Sequence, residues 1–164
     1  MKKGILLILG MLSLLACDNQ DERLKNADPF YTEKSDFDLI RFPLIKPYEA
    51  LSISDDTGWY VQNQEDSTAS AVSIPGAKHI NVIDSVVIIH AQKTLIEGQQ
   101  INEGWFVLVP KIKVYKEFKS RQEFMKYVLS LQIKNIKMYS MNEAFQCFYN
   151  RDTLDWKQLN RSHQ

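Results

Sequence analysis

Two runs of strand-forming apolar residues constrain the fold of this chain more than any other feature. In residues 85–90, all four residues between Ser85 and His90 are β-branched. Residues 105–109 form a second apolar run, which ends at Pro110. Neither run alternates between apolar and polar residues, and an unbroken apolar run is typical of a strand that is covered on both faces. The sequence therefore predicts two core strands.

Shorter apolar segments, turn residues and capping patterns complete the predicted order of elements. Further strands are predicted at residues 38–42, 48–54, 59–62, 71–74, 80–83, 111–116 and 136–139, with a turn at Pro75-Gly76 and a loop at 94–103. Pro43 favours an edge position for the first strand. Ser120 and Ser140, each followed three residues later by a glutamate, match capping boxes that begin helices. This order predicts an α+β fold: an antiparallel meander of about seven strands followed by two helices packed on one face.

The amino terminus is organised like a signal peptide. Lys2 and Lys3 precede an uncharged run, residues 4–15, and the small residue Ala16 precedes Cys17. A run of about a dozen residues is shorter than the ~20 that a membrane-spanning helix needs. We therefore expect no transmembrane span in the mature chain.

The segment Leu14-Leu15-Ala16-Cys17 resembles the lipobox of bacterial lipoprotein precursors. The resemblance implies cleavage before Cys17 by signal peptidase II and attachment of diacylglyceryl and acyl groups to that residue. Two or three acyl chains hold a protein durably at a membrane. The resemblance therefore implies a protein anchored by lipid to the inner or outer membrane of the bacterial cell envelope. It covers about the first twenty residues and implies nothing about the folded part.

The domain organisation follows from this leader and from the polar stretch behind it. We predict a signal peptide at residues 1–16, a lipidated cysteine with a flexible tether at 17–35, one α+β domain at 36–157 and a frayed tail at 158–164. With Cys17 lipidated, Cys147 has no cysteine partner, and its apolar neighbours predict burial. No cofactor is expected besides the covalent lipid.

Charge is distributed unevenly along the chain. Residues 17–103 hold 15 acidic and 7 basic residues, whereas residues 111–137 hold 8 basic and 2 acidic ones. Four lysines of the basic segment are the candidate interaction surface, facing another envelope protein or an envelope polymer: Lys111, Lys113, Lys116 and Lys119. Protection of a sheet edge explains the same lysines without a partner. The stacking-aromatic pattern of RNA-binding motifs is missing, so we expect no nucleic-acid partner.

Catalytic motifs are absent from the sequence. It contains no Gly-x-Ser-x-Gly elbow, no His-Glu-x-x-His and no phosphate-binding glycine loop. No zinc-type pairing of cysteines and histidines occurs either, so we assign no metal ligand and no catalytic residue. His79, His90 and Asp84 remain as candidates at the ends of predicted strands, but surface or capping roles account for the two histidines better.

Three functional hypotheses remain. The leading one is a non-enzymatic, lipid-anchored binding module of the cell envelope. The second is a small envelope hydrolase or transferase that uses His79 or His90. The third is an immunity or inhibitor lipoprotein, tethered where an incoming toxin acts.

Overall fold

The computed structural model describes residues 27–34, 39–52, 58–65, 72–96 and 98–161. Its strands are β1 (Ile40–Ile45), β2 (Tyr48–Ser52), β3 (Trp59–Asn63), β4 (Ser73–Ile83), β5 (Val86–Ala91), β6 (Thr94–Ile96), β7 (Gln99–Ile101), β8 (Gly104–Val109), β9 (Val114–Phe118) and β10 (Tyr139–Ser140). Its α-helices are α1 (Arg121–Ser130), α2 (Met141–Arg151) and α3 (Trp156–Arg161).

One antiparallel sheet dominates the fold. Its strands follow the order β1-β2-β3-β4-β5-β8-β9, and β10 pairs with β4 beside this path. The predicted α+β class, with an antiparallel sheet of about seven strands followed by helices, is confirmed. β1 contains Pro43 and lies at one end of the sheet, as the proline indicated. The predicted loop at residues 94–103 instead contains the separate hairpin β6-β7.

The predicted turn at Pro75-Gly76 is wrong, because β4 continues through both residues. Gly76 has φ +70°, and the pairing of β4 with β3 shifts register at this point. The amide of Gln92 donates to the Gly76 carbonyl over 2.9 Å. A Cβ atom at Gly76 would lie 3.0 Å from both the Gln92 carbonyl oxygen and Thr94 Cγ2. Proline and glycine therefore form a bulge here, which bends the strand without ending it.

A two-residue turn sets the register of β4 against β5. Asp84 and Ser85 have φ values of +48° and +69°, the left-handed backbone that a tight hairpin turn requires. The hairpin pairs Ile83 with Val86 at the turn, and it pairs His79 with His90 further along. The turn therefore decides which residues face each other across the two strands.

β5 is buried on both faces, as its unbroken apolar run predicted. Ile88 belongs to the smaller of two apolar clusters and Ile89 to the larger, because neighbouring side chains of a strand point to opposite faces. Phe124 of α1 packs in the smaller cluster, and Phe148 of α2 packs in the larger. The two helices therefore join different clusters, where the sequence predicted one shared face, because the central strands need cover on both sides.

Both predicted helix starts are present. The Ser120 side chain accepts a hydrogen bond from the amide of Gln122 at the start of α1. Ser140 and Glu143 form a complete capping box at the start of α2, in which each side chain bonds the backbone amide of the other. Such boxes satisfy amides that have no partner inside the helix.

The folded chain extends further than the sequence predicted at the carboxyl end. Trp156 and Leu159 of α3 are buried, and the Asn160 amide donates to the carbonyl of Val82 over 3.0 Å. The prediction of a frayed tail from residue 158 is therefore wrong as far as Arg161. The apolar spacing of Trp156 and Leu159 on one helix face explains the difference.

The chain divides into two compact units, Met1–Thr32 and Glu33–Gln164. The described part of the first unit contains a short 3-10 helix, Pro29–Tyr31, capped by the Asp28 side chain. The predicted signal peptide, Cys17 and most of the predicted tether lie outside the described residues. Among the helices that are described, none is both long enough and apolar enough to cross a membrane.

Candidate functional site

The four candidate lysines all have exposed side chains, but their backbone differs from the predicted strand at residues 111–116. Pro110–Ile112 forms a 3-10 helix, Lys113 follows with φ +52°, and the strand β9 begins at Val114. Proline favours this start because its fixed φ suits the first position of a helical turn, where no amide hydrogen is needed. The Lys113 amide closes the turn by donating to the Pro110 carbonyl over 3.0 Å.

Two apolar residues are exposed among the lysines. Ile112 in the turn is 66% exposed, and Tyr115 in β9 is 42% exposed. The Lys116 ammonium lies 4.2 Å from the centre of the Tyr127 ring, a cation–π contact. We call the following six residues the β9 surface: Lys111, Ile112, Lys113, Tyr115, Lys116 and Lys119. β9 is the last strand in the sheet order, so this surface borders an outer edge.

The two candidate histidines lie side by side on β4 and β5. His79 and His90 are register partners, and their Nδ1 atoms are 3.3 Å apart. Their rings are nearly parallel, with planes 14° apart and centroids separated by 5.6 Å. We call these two residues the histidine pair. The sequence predicted both at strand ends, and the hairpin places them next to each other.

Three neighbours hold the ring of His90. Its Nε2 atom lies 2.9 Å from Oε1 of Glu103, in the connection between β7 and β8. Its face stacks on Trp105, with ring centroids 4.1 Å apart and planes 18° apart. The His79 ring lies next to it within the pair, and the His90 side chain is 15% exposed. An ionised carboxylate can accept but not donate, so Glu103 selects the tautomer of His90 with hydrogen on Nε2.

The pKa of His79 lies below its ordinary value of 6.5. Partial burial is the main cause, and the nearby charges of His90 and Lys78 act in the same direction, whereas Glu143 opposes them. All of these causes except Glu143 disfavour the protonated imidazole. His79 is therefore neutral at physiological pH.

Asp84, the third candidate, is not part of the histidine pair. It lies in the turn that follows Ile83, and the strand between His79 and Ile83 spans roughly 13 Å at the usual rise per residue. Its function is to form the turn. Trp105 and Glu103 take the positions next to His90, and the sequence did not single out Glu103.

An open groove of about 420 Å³ lies beside the start of α2. It is lined by Tyr139, Ser140, Asn142, Glu143, Gln146, Cys147 and Leu159. The pKa of Glu143 is lowered, first because the Ser140 backbone amide donates to its carboxylate and then because the Ser140 hydroxyl does so. Cys147, predicted to be buried, is half-buried and packs against the larger apolar cluster.

Comparison with known proteins adds no assignment. No family model, no curated protein and no solved structure matches this chain. Among the described residues, no group of three or more histidine, cysteine, aspartate or glutamate side chains is arranged to hold a metal ion.

Proposed function

We propose that this protein is a lipid-anchored binding module of the bacterial cell envelope, whose β9 surface binds an acidic region of another envelope protein or polymer. The anchor rests on the resemblance of Leu14-Leu15-Ala16-Cys17 to a lipobox. The binding surface rests on the exposed lysines and apolar side chains around β9. These two features are independent of each other and can be tested separately.

One observation carries the proposed binding role: Ile112 and Tyr115 are exposed within a group of four lysines. Single exposed apolar residues are common and need no explanation. Here, however, the exposed Ile112 stands between two exposed lysines, Lys111 and Lys113, and Tyr115 is exposed in the strand that follows. Aromatic and apolar residues usually supply the affinity of an interface, while surrounding charges raise the rate of association and select the partner.

The proposed lipid anchor would strengthen such binding. A protein held at a membrane meets partners in the same membrane at a high effective concentration, so a modest affinity suffices. An acidic partner would also be attracted by the +6 net charge of residues 111–137. Because exposed charges are screened beyond about 8–10 Å at physiological salt, this attraction should weaken as salt is added.

The test is crosslinked co-purification of the tagged full-length protein from solubilised envelopes, read by mass spectrometry. The variant K111E/K113E/K116E/K119E reverses the charge of the β9 surface. The matched control, K46E/K78E/K93E/K157E, makes the same charge change at four exposed lysines outside residues 111–137. We expect a stoichiometric partner that is lost in the first variant and kept in the second. Equal recovery with both variants, or no partner at all, would refute the proposal.

A second candidate function is a small hydrolase or transferase that uses His79 or His90. The pair His90–Glu103 favours it, because a carboxylate that orients an imidazole is the usual support of a general base. If this function is correct, His90→Ala abolishes turnover of a substrate found by screening, and the melting temperature stays unchanged. A loss of stability together with unchanged turnover would assign the histidine to structure.

A further inference from the structure

We propose that His79 and His90 bind one divalent transition-metal ion, such as Zn²⁺, through their two Nδ1 atoms. The proposal is independent of the proposed binding function. It also differs from the sequence-based prediction, which assigned no metal ligand because the sequence contains no zinc-type spacing of cysteines and histidines. The two ligands are brought together by strand pairing, and no spacing rule within one segment describes them.

The separation of the two Nδ1 atoms is the first argument. Zinc–imidazole bonds measure about 2.0–2.1 Å, and tetrahedral geometry then places two ligand nitrogens about 3.3–3.4 Å apart. The observed separation is 3.3 Å. The two rings are also close enough to share a hydrogen between these nitrogens, so a metal ion would have to displace that hydrogen. The separation fits a bridging metal ion without requiring the ligand nitrogens to move.

The tautomer of His90 also suits a metal ligand. Glu103 accepts the hydrogen on Nε2, which leaves a lone pair on Nδ1, the atom 3.3 Å from Nδ1 of His79. Metal-binding histidines commonly donate their other ring nitrogen to a carboxylate, which fixes the ring and makes the ligand nitrogen more basic. Glu103 therefore acts as a positioning residue for the metal ligand.

Packing and strand pairing fix the positions of both histidine rings. His90 is stacked between Trp105 and His79, and both histidines are on paired strands. Sites built on strands hold their ligands more accurately than sites on loops. With two protein ligands, the remaining coordination positions would be taken by water or by an external ligand. We therefore expect weaker binding than at structural zinc sites, which have four protein ligands.

The test is a Zn²⁺ titration of the full-length chain in a C17S/C147S background, which removes both cysteine thiols as competing ligands. Heat of binding and the rise in melting temperature are both measured. We expect saturable binding of one ion, lost in H79N and in H90Q, variants that keep polar side chains at both positions. His163→Asn, which changes the remaining histidine of the sequence, should leave the titration unchanged.

Glu103→Gln supplies a test that does not remove a ligand. Loss of this type of supporting carboxylate usually weakens metal affinity 10–100-fold, and we expect that range here. Melting temperatures without metal show whether each variant is folded. The proposal is overturned if the wild-type chain does not bind Zn²⁺, or if H79N and H90Q bind it as well as the wild-type chain does.

Discussion

Arg41 of β1 and Glu49 of β2 form an ion pair inside the protein, with 2.8 Å between Nε of the arginine and Oε2 of the glutamate. The two side chains are 8% and 5% exposed. Gln62 of β3 donates to the second carboxylate oxygen over 3.0 Å. Side chains from three neighbouring strands therefore interact at the Glu49 carboxylate. Carboxylates are buried in proteins when they are paired and hydrogen-bonded in this way.

Removing one partner of this pair should be much more damaging than removing both. We expect Arg41→Met to lower the free energy of unfolding by about 3–5 kcal/mol, because it leaves a buried carboxylate without its cation. The double variant R41M/E49L should lose less than the single variant, since no uncompensated charge remains. Chemical denaturation of the full-length chain measures both values.

The exposed pair Lys34–Asp152 is the matched control for this experiment. Its side chains are 41% and 53% exposed, and exposed ion pairs typically contribute about 0–1 kcal/mol. Asp152→Asn should therefore change stability little. If R41M/E49L loses as much as the two single substitutions together, the pair is not coupled in the way proposed.

The capping box of α2 should contribute a pH-dependent stability. Because folding lowers the pKa of Glu143 below its ordinary 4.5, its contribution is complete above pH 4.5 and is lost as the pH falls through the lowered value. The stability difference between the wild type and E143Q should therefore be constant at neutral pH and should shrink in acid. Denaturation curves at several pH values measure it.

Two serine substitutions separate this effect from ordinary capping. Ser140→Ala and Ser120→Ala should each cost about 1 kcal/mol, the usual value of an N-cap. The Ser140 substitution should also weaken the pH dependence, because the Ser140 hydroxyl donates to Glu143 over 2.8 Å. A Ser120 variant with the same loss of pH dependence would contradict this assignment.

The bulge in β4 should not tolerate a side chain at Gly76. Gly76 and Gly98 have similar φ values, +70° and +79°, so alanine is strained at either position by about 1–2 kcal/mol. A Cβ atom at Gly98 meets nothing within 4 Å, whereas at Gly76 it meets backbone. We expect Gly76→Ala to cost about 1–3 kcal/mol more than Gly98→Ala, because the neighbouring strand must move. Equal losses of stability would show that the contact is relieved without cost.

Ile112 should matter for binding and not for folding. Because this side chain is 66% exposed, Ile112→Glu should change the free energy of unfolding by less than about 0.5 kcal/mol. Recovery of the partner in the co-purification should nevertheless fall, since a charge replaces an apolar contact. Leu95→Glu is the control, because Leu95 is 70% exposed and lies outside the β9 surface. A normal yield of partner with Ile112→Glu would remove Ile112 from the interface.

Local sequence patterns correctly predicted the elements that are determined by a few neighbouring residues. The apolar run of β5 and the serines before α1 and α2 each act within a few residues, and all three predictions are confirmed. Pro75-Gly76 favours a turn when it is considered alone. Its bulge depends on the pairing of β4 with strands on both sides, which a local pattern does not contain.

The candidate sites were partly predictable for the same reason. His79 and His90 could be expected to meet because the Asp84-Ser85 turn sets the hairpin register between them. Glu103 comes from a separate connection, and its contact with His90 could be inferred only after β8 is placed beside β5. The strand predicted at residues 111–116 did not anticipate the 3-10 turn that begins at Pro110 and leaves Ile112 exposed.

One edge of β4 pairs with two different strands, and this affects how the chain folds while it is being synthesised. The first half of this edge pairs with β3, and the second half pairs with β10 through His79 and Ile80. Asn81 also donates to Asn160, 79 residues further along the chain. While the chain is being synthesised, the second half of β4 therefore has to wait for the last segment before its pairing is complete. Contacts between such distant segments slow folding, so a nascent chain that ends before residue 139 keeps an open strand edge that invites pairing with other chains.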